Sequence, residues 1–235
     1  VSGEEAFFLH DTLGFPFDLT REIAEDAGRK IDADGFQAAL AQQSKRSKEA
    51  RKDATVVATD VTEFYKTILD THGPTIFVGR ETFELPDAVV IGIVNSDGDS
   101  VNSISAGKSA TLLLNETPFY AESGGQVGDT GTLSTDNFSA KVLDTKYGIA
   151  GSIYAHQISI EHGEVSIGDR VAAKIDAQRR NRIRRNHTGT HILHWALRTV
   201  LGDHVQQAGS HVDDQRLRFD FQHFEQVTQD QLDQI

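Results

Sequence analysis

Cysteine and methionine are both absent from this chain of 235 residues. Without a thiol no disulfide forms, and no thiolate can ligate a metal. Methionine is missing even from position 1, where Val1 stands, and a helix-like pattern is still running at Ile235. The chain therefore reads as a stretch cut from something longer. Long apolar runs are also missing. Ala88 to Ile91 and Ala110 to Leu114 are among the longest, far below the roughly 20 residues that cross a bilayer. The start, Val1 to Glu5, is acidic and lacks the apolar centre of a signal peptide. The expectation is a cytoplasmic protein without a membrane partner.

What is present is acidic. The net charge is −12, which argues against a surface that binds nucleic acid broadly, and DNA is not an expected partner. The basic residues are clustered, however. Lys45, Arg46, Lys48, Arg51 and Lys52 form one run, and Arg179, Arg180, Arg182, Arg184 and Arg185 form another. Such runs are usually solvated helix faces, but they can also meet phosphates on an acidic protein.

The hydrophobic period changes twice. Residues 4 to about 53 have helical spacing, with Ala6, Leu9 and Leu13, then Leu19, Ile23 and Ala27. Gly14-Phe15-Pro16 breaks the first helix. Asp18 or Thr20 can cap the second, Gly28 can end it, and Asp34 can cap a third. From about Thr55, β-branched residues become dense and turn residues punctuate them. The strand candidates are Ala88 to Val94, Ser109 to Leu114, Gly131 to Leu133, Phe138 to Thr145, Ile153 to Ile160 and Arg170 to Ile175. Such a series suggests a small barrel or sandwich. Near Asp176, a good N-cap, a helical pattern begins and runs to Leu201, closed by Gly202. Leu217 to Phe221 alternates like a half-buried strand, and Thr228 can cap a last helix.

Three segments can carry chemistry. In His187-Thr188-Gly189-Thr190-His191 the i, i+4 spacing puts two imidazoles on one helix face, where both can reach one metal ion. Thr188 stands where metalloprotease helices carry their glutamate base, so a peptidase of that kind is not expected. Hydrogen-bonded packing is the competing reading for these histidines, and His194 is expected to pack beside Leu193 and Leu197. The second segment, Thr117 to Asp129, is rich in glycine. Gly124, Gly125 and Gly128 permit a sharp turn or close approach to a ligand, and Glu122 and Asp129 can hold polar substrate groups. A bend at a barrel corner is the plain alternative. The third, Gln206 to His211, reads as a loop whose amide and hydroxyl can orient an ester, or as an ordinary polar turn.

Taken together, Glu116 to Asp129, Arg185 to His194, Val205 to Ser210 and Leu217 to Phe221 resemble the alanyl-tRNA synthetase family, in order and spacing. Gly3 to Pro16 is similar to the end of that family's tRNA-recognition region. The resemblance implies an α+β, multidomain chain. Residues 1–53 would end the tRNA-recognition region, 54–176 would form a small β-barrel, and 177–235 would begin an editing domain. The family joins alanine to its tRNA with ATP and magnesium in a catalytic domain expected to lie outside this chain, so the chain itself is expected to be inactive in aminoacylation. Its editing domain hydrolyses mischarged Ser- and Gly-tRNA. Carried over, His187 and His191 are zinc ligands, and both are counted with Gln207 as editing residues. The remaining ligands are expected beyond Ile235, so this chain alone is expected to bind zinc weakly or not at all and to show little editing. Gln207 matches a glutamine that selects the misacylated substrate. Asp11 matches the aspartate that reads a G·U pair of the acceptor stem. Arg179, Arg182 and Arg185, with Gly124 and Gly125, are the expected contacts to tRNA or substrate. The alternatives are a free-standing deacylase, against which residues 1–52 speak, and a non-catalytic tRNA-binding module.

Overall fold

The computed structural model describes residues 1–11, 20, 24, 27–33, 35, 36, 39 and 57–235. The expected break at Gly14 to Pro16, the caps at Asp18 and Asp34, and the basic run Lys45 to Lys52 lie outside the described residues. The chain divides into two compact units, Val1–Val56 and Val57–Ile235.

In the first unit, helix α1 spans Gly3–Asp11. It starts at a reciprocal cap. The Ser2 hydroxyl accepts from Glu5 N at 3.2 Å, and the Glu5 carboxylate accepts from Ser2 N at 2.8 Å. Ala6 is fully buried, and the Phe7 ring meets buried Phe36 at 6.5 Å between centroids. Gly28 closes a helical turn as the sequence implied. Its φ is 68°, and the Arg29 N–H reaches back to Ala24 O at 2.8 Å. Asp32 caps the next turn, accepting from Gly35 N at 2.9 Å.

The second unit opens with a helix where the sequence suggested only strands. Helix α2 covers Val57–His72. Its β-branched and aromatic residues mask a helical stripe of Phe64, Tyr65, Ile68 and Leu69. That stripe packs on Ile91, Leu113, Ile153 and Ala155, on the outside of a barrel.

The strands follow in chain order: β1 (Ile76–Phe77), β2 (Glu84–Asn95), β3 (Ser103–Ser105), β4 (Ser109–Leu114), β5 (Glu116–Thr117), β6 (Gly131–Ser134), β7 (Ser139–Ile149), β8 (Ile153–His162), β9 (Glu164–Ser166) and β10 (Arg170–Ile175). Six of them close into a barrel in the order β10-β2-β4-β8-β7-β6. Closure removes the free edges that a small sheet otherwise exposes. Val90, Leu112, Leu114, Leu133, Ile158 and Val171 fill the interior with Phe119. The unbroken apolar runs of β2 and β4 have a direct cause. One set of side chains faces the barrel interior, and the other lies under α2.

After the barrel, helix α3 spans Ala177–Leu201. The Asp176 carboxylate accepts from Arg179 N at 2.9 Å, and the Gly202 N–H donates to Arg198 O at 3.0 Å. The antiparallel ribbon β11 (Gln207–Val212) and β12 (Leu217–Phe221) packs against α3. The segment Gln206 to His211, read from sequence as a loop or turn, is therefore largely strand. A terminal helix, α4, spans Gln229–Gln234 and is capped by Thr228. No helix of the described residues is long and apolar enough to cross a membrane.

Candidate functional site

Three elements meet at the start of α3. The arginine-rich first turns fasten the helix to the barrel. Arg180 is buried, and its guanidinium embraces Asp129, with Nε at 2.8 Å from both carboxylate oxygens and Nη2 also on Oδ2. Its remaining donors go to Gly79 O at 2.9 Å and Pro118 O at 3.1 Å. Asp129 also accepts from Tyr120 N at 2.8 Å. Asp129 is thus fully committed, and the suggestion that it holds a substrate group is corrected. Glu122 instead faces Lys146 at 3.7 Å on the surface. Arg179 donates to Gly128 O at 2.8 Å and pairs with Asp214, which also holds Arg182. Arg185 is exposed.

One turn further on, His187 and His191 lie side by side. Their Nε2 atoms are 3.1 Å apart, with ring centroids at 4.9 Å. Nδ1 of His187 is 2.8 Å from Oε1 of Gln126. An amide oxygen can only accept, so Nδ1 carries the proton and Nε2 presents its lone pair toward His191. Partial burial, and then the neighbouring His191, hold the His187 imidazole below its ordinary pKa. Both effects favour the neutral form that binds metal.

The glycine-rich segment is positioned by the ribbon. Gly124 and Gly125 have φ of 60° and 82°, and Ser123 and Gln126 bridge across that turn. Val212 N donates to Gly125 O at 2.7 Å, and Val127 N donates to Val212 O at 3.1 Å. The Ser210 hydroxyl reaches Gly124 O at 3.3 Å and accepts from Gln207 Nε2 at 3.1 Å. A continuous line of contacts therefore runs from Gln207 through Ser210 and the glycine turn to Gln126 and His187. The three segments singled out in the sequence form one neighbourhood, with a cleft of about 410 Å³ lined by His191, His194 and Trp195 alongside. The His194 ring packs on Phe219 at 5.0 Å.

The imidazole pair suits part of a zinc site. Zinc takes histidine nitrogens at about 2.0–2.1 Å, and two corners of a tetrahedron at that radius lie about 3.3 Å apart. The observed 3.1 Å matches, and the hydrogen bond to Gln126 is the kind that orients a ligating histidine. Among the described residues no group of three or more His, Cys, Asp or Glu forms a metal cluster, so the pair supplies half of a tetrahedral set.

The sequence did not mark Gln126 or the Arg180–Asp129 pair. Arg180 lies on the buried stripe of the helix, three residues before Ile183, which Thr190 and Leu197 follow at steps of seven. A charge on a buried stripe was the available signal. Gln126 had none beyond its place after two glycines. Asp11 is the last residue of α1, and its side chain lies outside the described residues.

Comparison with known proteins bears on what this neighbourhood does. A family model described as tRNA synthetases class II (A) matches residues 1–179. The alanine–tRNA ligase of Alkaliphilus oremlandii (strain OhILAs) is 45% identical over 238 residues, covering 100% of this chain and 26% of that protein. That of Thermoanaerobacter sp. (strain X514) is 45% identical over 236 residues, with the same coverage. That of Wolbachia pipientis wMel is 42% identical over 232 residues, covering 99% of this chain and 26% of that protein. The chain thus spans about a quarter of the length of the curated relatives it matches.

Proposed function

Because the chain belongs to the class II (A) family of tRNA synthetases, we propose that it serves an alanine–tRNA ligase in two ways: acceptor-stem recognition, and zinc-assisted hydrolysis of Ser- or Gly-tRNA formed in error. Attachment of alanine, with ATP and magnesium, belongs to the rest of such an enzyme, and the cytoplasm is its compartment. The observation that carries the hydrolytic reading is the junction of His187, His191 and Gln126.

In this reading His187 and His191 hold the zinc. A zinc ion held there would supply Lewis-acid polarisation near the ester bond between the amino acid and the terminal ribose. Gln126 fixes the tautomer of His187. The Gln207 amide, tied to Ser210, offers a neutral donor and acceptor that orients the aminoacyl group without titrating. Water adds to the ester carbonyl, the ribose oxygen leaves with a proton, and the products are free amino acid and intact tRNA. Arg185 contacts the RNA backbone by charge, while Arg179 and Arg182 act at closer range, since Asp214 already engages them. Gly124 and Gly125 leave the substrate's approach unobstructed. Asp11 accepts from the guanine amino group of a G·U pair in the minor groove.

The test mixes the chain with Ser-tRNA and zinc, and compares it with His187→Ala. Release of serine that disappears with His187 supports the hydrolytic reading. Tight tRNA binding with no His187-dependent release identifies a non-catalytic binding module instead. Asp11→Ala, placed in an intact ligase, is expected to lower charging of the G·U tRNA far more than formation of alanyl-adenylate. Equal losses count against its role.

A further inference from the structure

A second cleft, of about 350 Å³, lies between the barrel wall and α3, and no step described so far uses it. One wall is aromatic. Phe77 and Tyr154 stack at 5.7 Å with 10° between their planes, and Tyr147 meets Tyr154 edge-on at 4.9 Å. The Tyr147 and Tyr154 hydroxyls are 3.2 Å apart, which fixes both rings. Arg80 and Arg184 also line the cleft. Both are exposed, and among the described residues neither has a hydrogen-bond or ion-pair partner. Arg180, which also borders the cleft, is neutralised by Asp129. No carboxylate lines the cleft among the described residues, although the chain as a whole carries −12.

Flat aromatic rings beside unpaired guanidinium groups match one ligand chemistry well. A nucleobase stacks on rings whatever its identity, and its phosphate pairs with arginine. The volume lies in the range of small-ligand sites. Burial raises the Tyr120 and Tyr154 hydroxyls above the ordinary phenol range, so they remain neutral and do not repel an anion. The location selects among nucleotide sources. Gln126 lines this cleft and also bonds His187, so one side chain separates the cleft from the imidazole pair.

We infer that this cleft receives the terminal nucleotide of a single-stranded RNA 3′ end, the base against Phe77 and Tyr147, which the buried Tyr154 ring braces, and the phosphate against Arg80 and Arg184. This inference rests on the hydrolytic reading above and supplies its missing anchor. With the base held in the cleft, the ribose that carries the ester lies on the Gln126 side, toward His187.

The test measures binding of a 5′-labelled single-stranded trinucleotide with a free 3′-hydroxyl to the 235-residue chain, with AMP and adenosine as competitors. The double variant Arg80→Ala/Arg184→Ala alters two exposed side chains and is expected to bind at least tenfold more weakly. The slope of log affinity against log salt should fall by about 0.7, since the two arginines share one single-strand phosphate contact. Tyr147→Ala is expected to weaken binding about fivefold or more, with unchanged secondary structure by circular dichroism. Unchanged affinity in the arginine double variant overturns the inference, and so does adenosine competing as well as AMP, which would leave the phosphate without a role. If the trinucleotide behaves as expected while Ser-tRNA is not cleaved, the cleft stands and the hydrolytic reading falls. If Ser-tRNA is cleaved with an unchanged KM in the arginine double variant, the reverse holds.

Discussion

Oε1 of Gln126 lies 2.8 Å from Nδ1 of His187, which joins the glycine-rich turn that follows strand β5 to the histidine helix. The bond fixes the proton on Nδ1 and aims the Nε2 lone pair at the space shared with His191. Outer partners of this type typically change metal affinity 10- to 100-fold when removed. Gln126→Ala should therefore weaken zinc binding by about that factor, read by competition with a chromophoric chelator. His187→Ala should abolish the remainder. Affinity in Gln126→Ala equal to that of the parent chain would show that the bond does not orient the ring.

The buried pair Arg180–Asp129 makes a sharper prediction about stability. Every donor direction of the guanidinium toward the barrel is used, on Asp129, Gly79 and Pro118. Arg180→Met leaves a buried carboxylate without its partner, and removing one member of such a pair costs about 3–5 kcal/mol. Urea unfolding should show that loss. Arg180→Met/Asp129→Leu should recover much of it, because an apolar pair of similar volume leaves no orphaned charge. A single variant within about 1 kcal/mol of the parent would mean that water reaches the site.

The same pair marks the limit of what the sequence discloses. The barrel strands, the Asp176 cap, the Gly202 stop and the strand at Leu217 follow from period and capping, which are local. Helix α2 was hidden because Val57, Val61, Thr62, Phe64 and Tyr65 favour strands, while the partners that make it helical, Ile91, Leu113 and Ile153, come later in the chain. The strand β11 was hidden because its pairing with β12 is what makes Gln207 to Val212 extended. The histidine pair was legible from spacing alone. Its link to Gln126 was not, since 61 residues separate the two in sequence. The five arginines also looked alike, yet burial sorts them into a staple, two pairs with Asp214, and exposed cations.

His156 sets a pH dependence. It is fully buried in the barrel, with Nδ1 donating to Leu112 O at 3.0 Å and Nε2 accepting from the Thr117 hydroxyl at 2.8 Å. Burial is the main cause that pushes its pKa down to about 4, from an ordinary 6.5. The unfolded chain therefore takes up a proton near pH 6.5 that the folded chain refuses until about pH 4. Stability is complete above pH 6.5 and falls as the pH drops toward 4, by roughly 3 kcal/mol in all. Part of this should be visible between pH 6.5 and 5, above the range where most carboxylates titrate. His187, also shifted down, contributes in the same direction. Urea midpoints across that window should fall in the parent chain and flatten in His156→Asn. A parent midpoint constant from pH 6.5 to 5 would count against a neutral, buried His156.

Gly124 and Gly125 are adjacent, both with positive φ, yet they should tolerate alanine very differently. A Cβ on Gly124 meets nothing within 4 Å, so Gly124→Ala bears only the left-handed backbone cost of about 1–2 kcal/mol. A Cβ on Gly125 lies 2.3 Å from Ser210 O, a backbone atom of β11. To admit it, the ribbon must move away from the turn, and the bond from Val212 N to Gly125 O at 2.7 Å is lost. That movement carries Gln207 and Ser210 away from Gln126 and His187, while the barrel interior, which neither glycine touches, keeps its packing. Gly125→Ala is thus expected to lower His187-dependent release of serine from Ser-tRNA by tenfold or more with little change in barrel unfolding. Gly124→Ala should stay within about threefold. Equal losses in the two variants would show that backbone strain, and not the docking of the ribbon on the turn, governs the site.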